Sequence, residues 1–593
     1  MQTSPDSIPG RLLARGAATP TEPAYYEKLD GVWTPTGWGA YAEQVRKVAR
    51  ALMALGFQPG ETVCILGFNR PEWAIMDIGA MAAGGAPAGI YTTCSSSEVV
   101  YIVQHAESPV ILLEDEGQWD KIKDRLTDLP HLRRVVSMRG VSIDHPIAQT
   151  WEQFLESGGA TADSQVDERL SARGADDLAT LIYTSGTTGP PKGVMLSVRN
   201  LAWTADAALQ LVPVQPGHCS VSYLPMSHIA EQMFSLHIPI SAGGVIYFAE
   251  SLTKVADNLK EVQPHVLFGV PRIWEKFYAG VSAKLAQTTG VKATIVGWAR
   301  RIAGRVHLLK NQGQEPGTWL AFQYFLAQKR VFTPLRQALG LGRAYICVSG
   351  AAPVAEEILT FFASLDIPIR EVYGQSEGSG PTTFNAAHRT RFGSVGPAIP
   401  GCEVRIAEDG EICVRGPNVF LGYFKEPNAT ADTLIDGWLH SGDLGAFDAD
   451  GFLTITGRKK DILITAGGKN IAPKNIEAAL KQLPLVGDAV VIGDRRKYLT
   501  ALLTLDAERV QKAAEERGVS PEAVRTSPET LAALQAGVDR INRDLAQVET
   551  IKRFTVLPAP FSVETGELTP SMKVKRKVVN EKFVGEIDAM YSD

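Results

Sequence analysis

The stretch IYTSGTTGPPKGVMLS, residues 182–197, constrains this chain more than any other. Two apolar residues lead into Thr184, Ser185, Gly186, Thr187, Thr188 and Gly189, and Pro190, Pro191, Lys192 and Gly193 follow. The run offers closely spaced backbone N–H groups, four hydroxyls and one cation. Its glycines let the backbone approach an anion and adopt positive φ. That chemistry suits a polyphosphate. It is not a Walker A loop, which needs G-x-x-x-x-G-K-[ST]: the fifth residue after Gly186 is Pro191, and Gly193 follows Lys192. On composition alone, a flexible Gly/Ser/Thr surface linker is the competing reading.

At 593 residues the chain exceeds the size of a single core, so two or more domains are expected. The net charge of −6 and the pI near 6.0 lack the basic footprint of a nucleic-acid binder. The six cysteines are scattered, with no C-x-x-C pair, so neither a zinc site nor a disulfide framework is expected. Reduced thiols in a cytoplasmic enzyme fit better. The N-terminus has no apolar core of signal-peptide length, and no stretch reaches the roughly 18 apolar residues that span a bilayer. A soluble or peripheral protein is therefore expected.

The spacing of Val45, Val48, Leu52 and Leu55 predicts an amphipathic helix over 41–55, stopped by Gly56. A strand at 62–68, a helix at 71–83, a strand near 86–91, a helix at 99–106 and a strand at 109–115 follow. This alternation indicates an α/β unit with a mainly parallel sheet over about 1–175. Residues 158–176, rich in Gly, Ala, Ser and Asp, read as a linker. A second α/β unit occupies 176–394 and carries a helical insertion at 284–340. Within that insertion Arg300, Arg301, Arg305 and Lys310 interleave with apolar positions over 297–310. They read as a solvated helix face or as a surface touching anionic lipid. From about 395 to 457, short strands separated by Gly, Asp and Asn suggest a small β-barrel or meander. The remainder, 460–593, reads as a small α+β domain with helices at 474–483 and 530–545 and strands at 488–493 and 498–506.

The loop at 182–197 resembles the phosphate-binding signature of the adenylate-forming superfamily, which includes acyl-CoA synthetases, luciferases and peptide-synthetase adenylation domains. Further stretches carry the same resemblance in order along the chain. EVYGQSEGSGP (371–381) is similar to the adenine and magnesium motif. The resemblance implies that Tyr373 stacks on adenine, with Gly374 and Gln375 beside it. It implies that Ser376 meets the α-phosphate, and that Glu377, with Thr188, holds Mg²⁺. SGAAP (349–353) would set Gly350, Ala351 and Ala352 against the base. GWLHSGDLG holds Asp443 and GRKKD holds Arg458, the two ribose contacts of the family. Either alone would read as a surface ion pair. ELTPSMKVKRK holds Lys573 where the family places the lysine that bridges the substrate carboxylate and the α-phosphate; Met572 replaces the usual preceding glycine, as in the long-chain branch. Lys575 competes for that assignment.

The resemblance implies a large N-terminal adenylation domain over 1–459 and a mobile C-terminal domain that turns about a hinge at Lys460. After the turn Gly467, Gly468 and Lys469 would face the CoA side. It implies use of ATP, Mg²⁺ and CoA. GVPRIWEK (269–276) and the helical insertion are similar to long-chain and bubblegum-type fatty acyl-CoA synthetases. There Trp274 would gate an acyl tunnel and His228 would sit near the reacting carboxylate. The loop ends MLS where many relatives have His after Leu, so Ser197 is a departure. The expected activity is long-chain fatty acid–CoA ligation through an acyl-adenylate. An enzyme that stops at fatty acyl-AMP or loads a carrier protein is the near alternative, and a non-catalytic acyl or nucleotide sensor the remote one. No carrier or reductase sequence follows residue 593, which favours free CoA as acceptor. Retention of Lys573, Glu377, Asp443 and Arg458 together speaks against the sensor.

Overall fold

The computed structural model describes residues 6–184, 190–387, 389–467 and 469–592. The protein is a mixed α/β molecule with a large N-terminal domain and a small C-terminal one. The largest sheet has eight strands. Its centre is parallel: Leu178–Thr184, Ala86–Ile90, Thr62–Leu66, Val110–Leu113, Arg134–Ser137 and Ala148–Thr150. Lys192–Ser197 and the short strand Gly422–Tyr423 extend one edge antiparallel. The central strands are apolar throughout because helices cover both faces.

One of those helices, Pro71–Ala82, is buried along its whole length. It lies against Trp38–Ala54, whose Val45, Val48 and Leu52 face inward at the spacing the sequence shows. Their approach is close enough that a Cβ on Gly79 would stand 2.4 Å from Val48 Cγ1. Asp77 sits in this helix with neither carboxylate oxygen hydrogen-bonded among the described residues, and burial pushes its pKa well above the ordinary value.

The boundary expected near 175 does not separate the sheets. Leu178–Thr184 belongs to the first sheet, while Pro23–Leu29 pairs in parallel with Val245–Phe248 in a second sheet completed by Cys219–Ser222 and Val32–Gly37. The two units are thus interleaved. A third sheet holds Val266–Gly269, Ile346–Ser349, Ile369–Gln375 and Gly380–Phe384. The linker expected over 158–176 contains the helix Asp163–Ala172, which buries Val166. Its polar composition hides an element held by two apolar anchors, Val166 and Leu170.

The insertion is helical, with Pro271–Ala286, Gly290–Asn311, Thr318–Ala327 and Thr333–Ala338. Residues 403–458 form a five-stranded antiparallel sheet, whose pairing path among the described residues runs open rather than closed. Beyond it, Val486–Ile492, Leu499–Leu505 and Ile551–Val556 form the C-terminal sheet. Pro473–Leu480 and Pro528–Asp544 cover it through Ile476, Leu480, Leu534 and Val538. The helices Ala507–Arg517 and Pro521–Thr526 have no counterpart in the sequence reading. No helix among the described residues is long and apolar enough to cross a membrane.

Ser197 has a structural explanation. Its Oγ accepts the Asn200 N–H at 3.1 Å while Asn200 Oδ1 accepts the Ser197 N–H at 2.8 Å, a reciprocal cap on the helix Val198–Leu211. Ser197→Ala should lower stability by about 1 kcal/mol, read as a shift in the denaturation midpoint, and leave activity unchanged. A loss of activity at unchanged stability would place Ser197 in the chemistry instead.

Candidate active site

A cleft of about 2120 Å³ lies between the domains, lined by residues of both. On one side the strand Ile369–Gln375 runs into the short turn Ser376–Gly378. Tyr373, Gly374, Gln375, Ser376 and Glu377 all line the cleft there. Gly374 is required by packing: a Cβ would stand 1.7 Å from the Gly380 carbonyl oxygen on the facing strand. The loop after Ile346–Ser349 brings Ala351 and Ala352 to the same wall, with Gly350 directly behind them.

Asp443 and Arg458 are cross-strand partners in the antiparallel pair Trp438–Phe447 and Leu453–Arg458. Arg458 Nε stands 3.3 Å from Asp443 Oδ1, and the Tyr373 hydroxyl donates to Asp443 Oδ2 at 3.0 Å. The ion pair is real, and it lines the cleft rather than the outer surface. Burial and the neighbouring Asp443 charge push the Tyr373 phenol far up, so it remains a neutral donor.

Glu377 Oε1 accepts from the Tyr423 hydroxyl at 2.8 Å, and Glu377 Oε2 has no hydrogen-bond partner among the described residues. Lys192 lies 4.8 Å from the Tyr423 ring centre and 3.6 Å from Glu426. Tyr423 and Glu426 carry no motif. They reach the site because Gly422–Tyr423 pairs with Lys192–Ser197 across more than two hundred residues of chain. Thr184 and Lys192 line the cleft at either end of the phosphate loop. Ser185, Gly186, Thr187, Thr188 and Gly189 lie outside the described residues, as does Gly468.

His228 also lines the cleft. Its Nδ1 accepts the Ala230 N–H at 3.1 Å, so the neutral ring carries its proton on Nε2. Burial and the Lys573 charge hold its pKa down at about 4. Nearby, Glu231 accepts from Ser222 and Ser235 at 2.7 Å each, and burial raises its carboxyl to about 7. The same cleft has an apolar lining from Leu211, Val212, Phe234, Ile238, Val266 and Phe268.

Lys573 enters from the C-terminal domain on a tight turn. The Met572 N–H donates to the Thr569 carbonyl at 2.8 Å, and the Thr569 N–H to the Lys573 carbonyl at 2.7 Å. Thr569 Oγ1 takes the Lys573 N–H at 3.0 Å. Met572 holds φ +62, the left-handed conformation that glycine adopts freely. The turn docks on the N-terminal domain through Thr93, whose hydroxyl donates to the Pro570 carbonyl at 2.7 Å. Lys573 keeps accessible surface, but that surface faces the cleft, where protein surrounds it and burial pushes the ammonium pKa down. Arg458 and Lys474 push it in the same direction, and Asp443 and Glu377 oppose them. Lys573, not Lys575, lines the cleft; Arg576 also reaches it, paired with Glu477.

Two expectations fare differently. Trp274, expected to gate an acyl tunnel, does not line the cleft. It is fully buried in the second core against Phe277 and Phe362, its indole N–H donating to the Gly269 carbonyl at 3.0 Å. It projects from the inward face of the helix Pro271–Ala286, so its size serves packing. Gly467 and Lys469 lie in the hairpin Leu463–Ile464 and Asn470–Ile471, away from the cleft. Lys460 sits in the short turn Lys459–Asp461 that leaves Leu453–Arg458 and lines the cleft. Its neighbour Lys459 pairs with Asp409 at 2.6 Å and Glu411 at 3.2 Å.

Residues 13–424 match the AMP-binding enzyme family, and residues 460–593 match the AMP-binding enzyme C-terminal domain. The chain belongs to the AMP-binding enzyme family. This AMP-binding enzyme is 39% identical to the long-chain-fatty-acid–CoA ligase ACSBG2 of Xenopus laevis, over 96% of this chain and 82% of that protein. It is 36% identical to the long-chain-fatty-acid–CoA ligase FadD15 of Mycobacterium bovis, over 99% and 97%. Its fold is similar to the adenylation–carrier didomain of a carboxylic acid reductase from Segniliparus rugosus in complex with AMP. That similarity has a TM-score of 0.76 at 21% identity, over 100% of this chain and 83% of that one.

The Lys573 environment sets a pH dependence. A depressed ammonium pKa means the cation is present at low pH and lost as pH rises through the lowered value. The adenylation rate should therefore fall on the alkaline side at a pH below that of an ordinary lysine. In Lys573→Arg, slower overall, that fall should move upward out of the accessible range. The Met572 conformation gives a second expectation. Met572→Gly should leave activity within about two-fold and raise stability by up to ~1 kcal/mol, whereas β-branched Met572→Ile should slow adenylation by roughly ten-fold. Equal rates in the two variants would show that the turn does not deliver Lys573.

Proposed function

We propose that this enzyme is a long-chain fatty acid–CoA ligase that works through an acyl-adenylate. One arrangement supports the reading: Lys573 and His228 share the cleft with a nucleotide-side wall (Tyr373, Ser376, Glu377, Asp443, Arg458) and an apolar lining. A fatty acid whose tail lies against that lining would present its carboxylate to them. ATP would lie with adenine against Ala351, Ala352 and Tyr373 and with its ribose hydroxyls on Asp443, which can accept from both.

The barrier is electrostatic, since a carboxylate must attack an anionic phosphate. Lys573 and the loop ending in Lys192 offset the charge that develops as the carboxylate oxygen bonds to the α-phosphorus and pyrophosphate leaves. The neutral His228 Nε2–H can orient a carboxylate oxygen without exchanging a proton. Glu377 Oε2, which has no hydrogen bond among the described residues, suits Mg²⁺, which favours one or two carboxylates with substrate phosphates. Thr188 would assist. When bound, Mg²⁺ supplies positive charge to the polyphosphate.

In the second step the CoA thiolate attacks the acyl carbonyl and AMP leaves. The turn carrying Lys573 lines the cleft, and adenylation would use that arrangement. A turn of the C-terminal domain about Lys460 would withdraw it and bring Gly467, Gly468 and Lys469 toward the CoA side. The buried, unpaired thiols suit a reducing compartment, and the reading places the enzyme in the cytoplasm.

The test is thioester formation from ATP, Mg²⁺, CoA and fatty acids graded in chain length. Long chains should give the highest kcat/KM. Lys573→Ala should slow acyl-adenylate formation by roughly 100-fold or more, yet still convert supplied acyl-AMP and CoA to thioester. Pyrophosphate release without thioester would identify an adenylating enzyme that uses another acceptor. Preference for short or aromatic acids would overturn the substrate class.

A further inference from the structure

The helix Thr318–Ala327 carries its hydrophobic side outward. Trp319, Phe322, Phe325 and Leu326 recur at helical spacing on one face, and the first three are 68%, 51% and 56% exposed. Trp319 and Phe322 stack on each other at 5.8 Å. The inward face is mixed: Ala327 is buried in a small apolar cluster with Tyr324 packed against it, and polar groups sit beside them. The Tyr324 hydroxyl donates to Asp366, and the Gln328 amide donates to Asp366 at 3.0 Å. His307, from the adjacent helix Gly290–Asn311, stands 3.2 Å from the same carboxylate. A surface helix normally turns its largest apolar side chains inward, whereas here they face out. Core packing therefore does not account for this stripe, and a soluble surface rarely leaves such aromatics in a row.

The charge around it is as unusual as the stripe. Residues 290–340 carry eight Lys/Arg and one acidic residue, Glu315, in a chain whose net charge is −6. Lys329 and Arg330 continue the exposed helical face beyond Leu326. Among the described residues no carboxylate lies within ion-pair distance of Arg301, Arg305, Lys329 or Arg330. The expectation attached to 297–310 is thereby refined. Arg300 is engaged with Ser364 and with the Phe361 ring, and Lys310 lies over Tyr324, so those two cations are committed to packing. The adjacent helix adds exposed Val291, Ile295 and Leu308.

We propose that the outward face of Thr318–Ala327, with the Lys329–Arg330 pair, docks the enzyme on an anionic lipid surface. Large aromatics insert among headgroups and acyl chains while flanking cations meet lipid phosphates. A polar protein partner would leave the stacked Trp319 and Phe322 unmatched, and a second copy would bring two basic surfaces together. The inference goes beyond the ligase reading and does not depend on it.

The test is flotation of the full-length protein with vesicles of phosphatidylcholine alone or with about one-third phosphatidylglycerol, without substrate. The protein should float with the anionic vesicles and be released by high salt, as screened charge requires. Trp319→Ser/Phe322→Ser/Phe325→Ser should cut binding at least ten-fold. Lys329→Glu/Arg330→Glu should remove the preference for anionic lipid. Both variants should keep wild-type circular dichroism and activity on a micelle-free medium-chain acid, since the changed residues are exposed and outside the cleft. Undiminished flotation of the aromatic variant would overturn the proposal. So would a dimer in vesicle-free solution that this variant dissociates, because a second copy would then cover the face.

Discussion

The site depends on placing one lysine from the C-terminal domain into a cleft where cations already stand. Arg458 and Lys474 act against the Lys573 charge, and the surrounding protein removes much of its water. Asp443 and Glu377 supply the compensation. Both carboxylates are themselves held, Asp443 by Arg458 and Tyr373, Glu377 by Tyr423. The cost of bringing Lys573 in is therefore lowest when anionic groups also occupy the cleft. A polyphosphate would supply them, so nucleotide binding and domain docking favour each other through the same Coulomb terms.

Such coupling requires a stiff frame, and the interleaved sheets provide it. Pro23–Leu29 reaches across to pair with Val245–Phe248, and Gly422–Tyr423 returns to the edge of the sheet that begins near residue 62. Segments far apart in sequence thus hold each other in register. Tyr423 reaches Glu377 because of one such crossing. Among the described residues the Thr93 hydroxyl of the N-terminal domain donates a hydrogen bond to the Pro570 carbonyl of the Lys573 turn. That attachment is worth about 1 kcal/mol, small enough to break and re-form during turnover.

Local chemistry made much of this legible in the sequence. Val45, Val48 and Leu52 announced their helix by spacing, and the strands at 62, 86 and 110 by continuous apolar runs. Asp443, Arg458, Glu377 and Tyr373 were found because each sits in a short string whose resemblance to a known signature is local. Residues recruited over long distance were invisible: Tyr423, Glu426 and Thr93 have neighbours of no special pattern. Trp274 was singled out by its motif position, and its place on an inward helix face, packed in the core, could not be read from that motif. The stripe at Trp319 was missed because a run of aromatics in a predicted helix reads as buried until the helix is seen facing out.

The turn Lys459–Asp461 shows how a cluster of ligand-type residues can serve position rather than metal binding. Glu411, Cys413 and His440 bring ligand atoms within 4.8 Å of one another. Yet Glu411 is already spent: one oxygen takes the Gly442 N–H at 2.8 Å, and the other meets His440 at 3.0 Å and Lys459 at 3.2 Å. A cation entering there would compete with the ammonium of Lys459, which Asp409 also holds. Against the burial that raises it, the His440 contact, then the Gly442 N–H and Lys459, lower the Glu411 carboxyl pKa. The result is an anchor. Lys459 is tied to the strand Glu411–Arg415 on one side of the peptide, and Lys460 follows free of any ion pair among the described residues. If the C-terminal domain turns, the anchor confines the backbone change to Lys460 and beyond. Arg458 then stays on Asp443 while Lys573 departs, so the nucleotide side of the cleft survives the motion that empties the other.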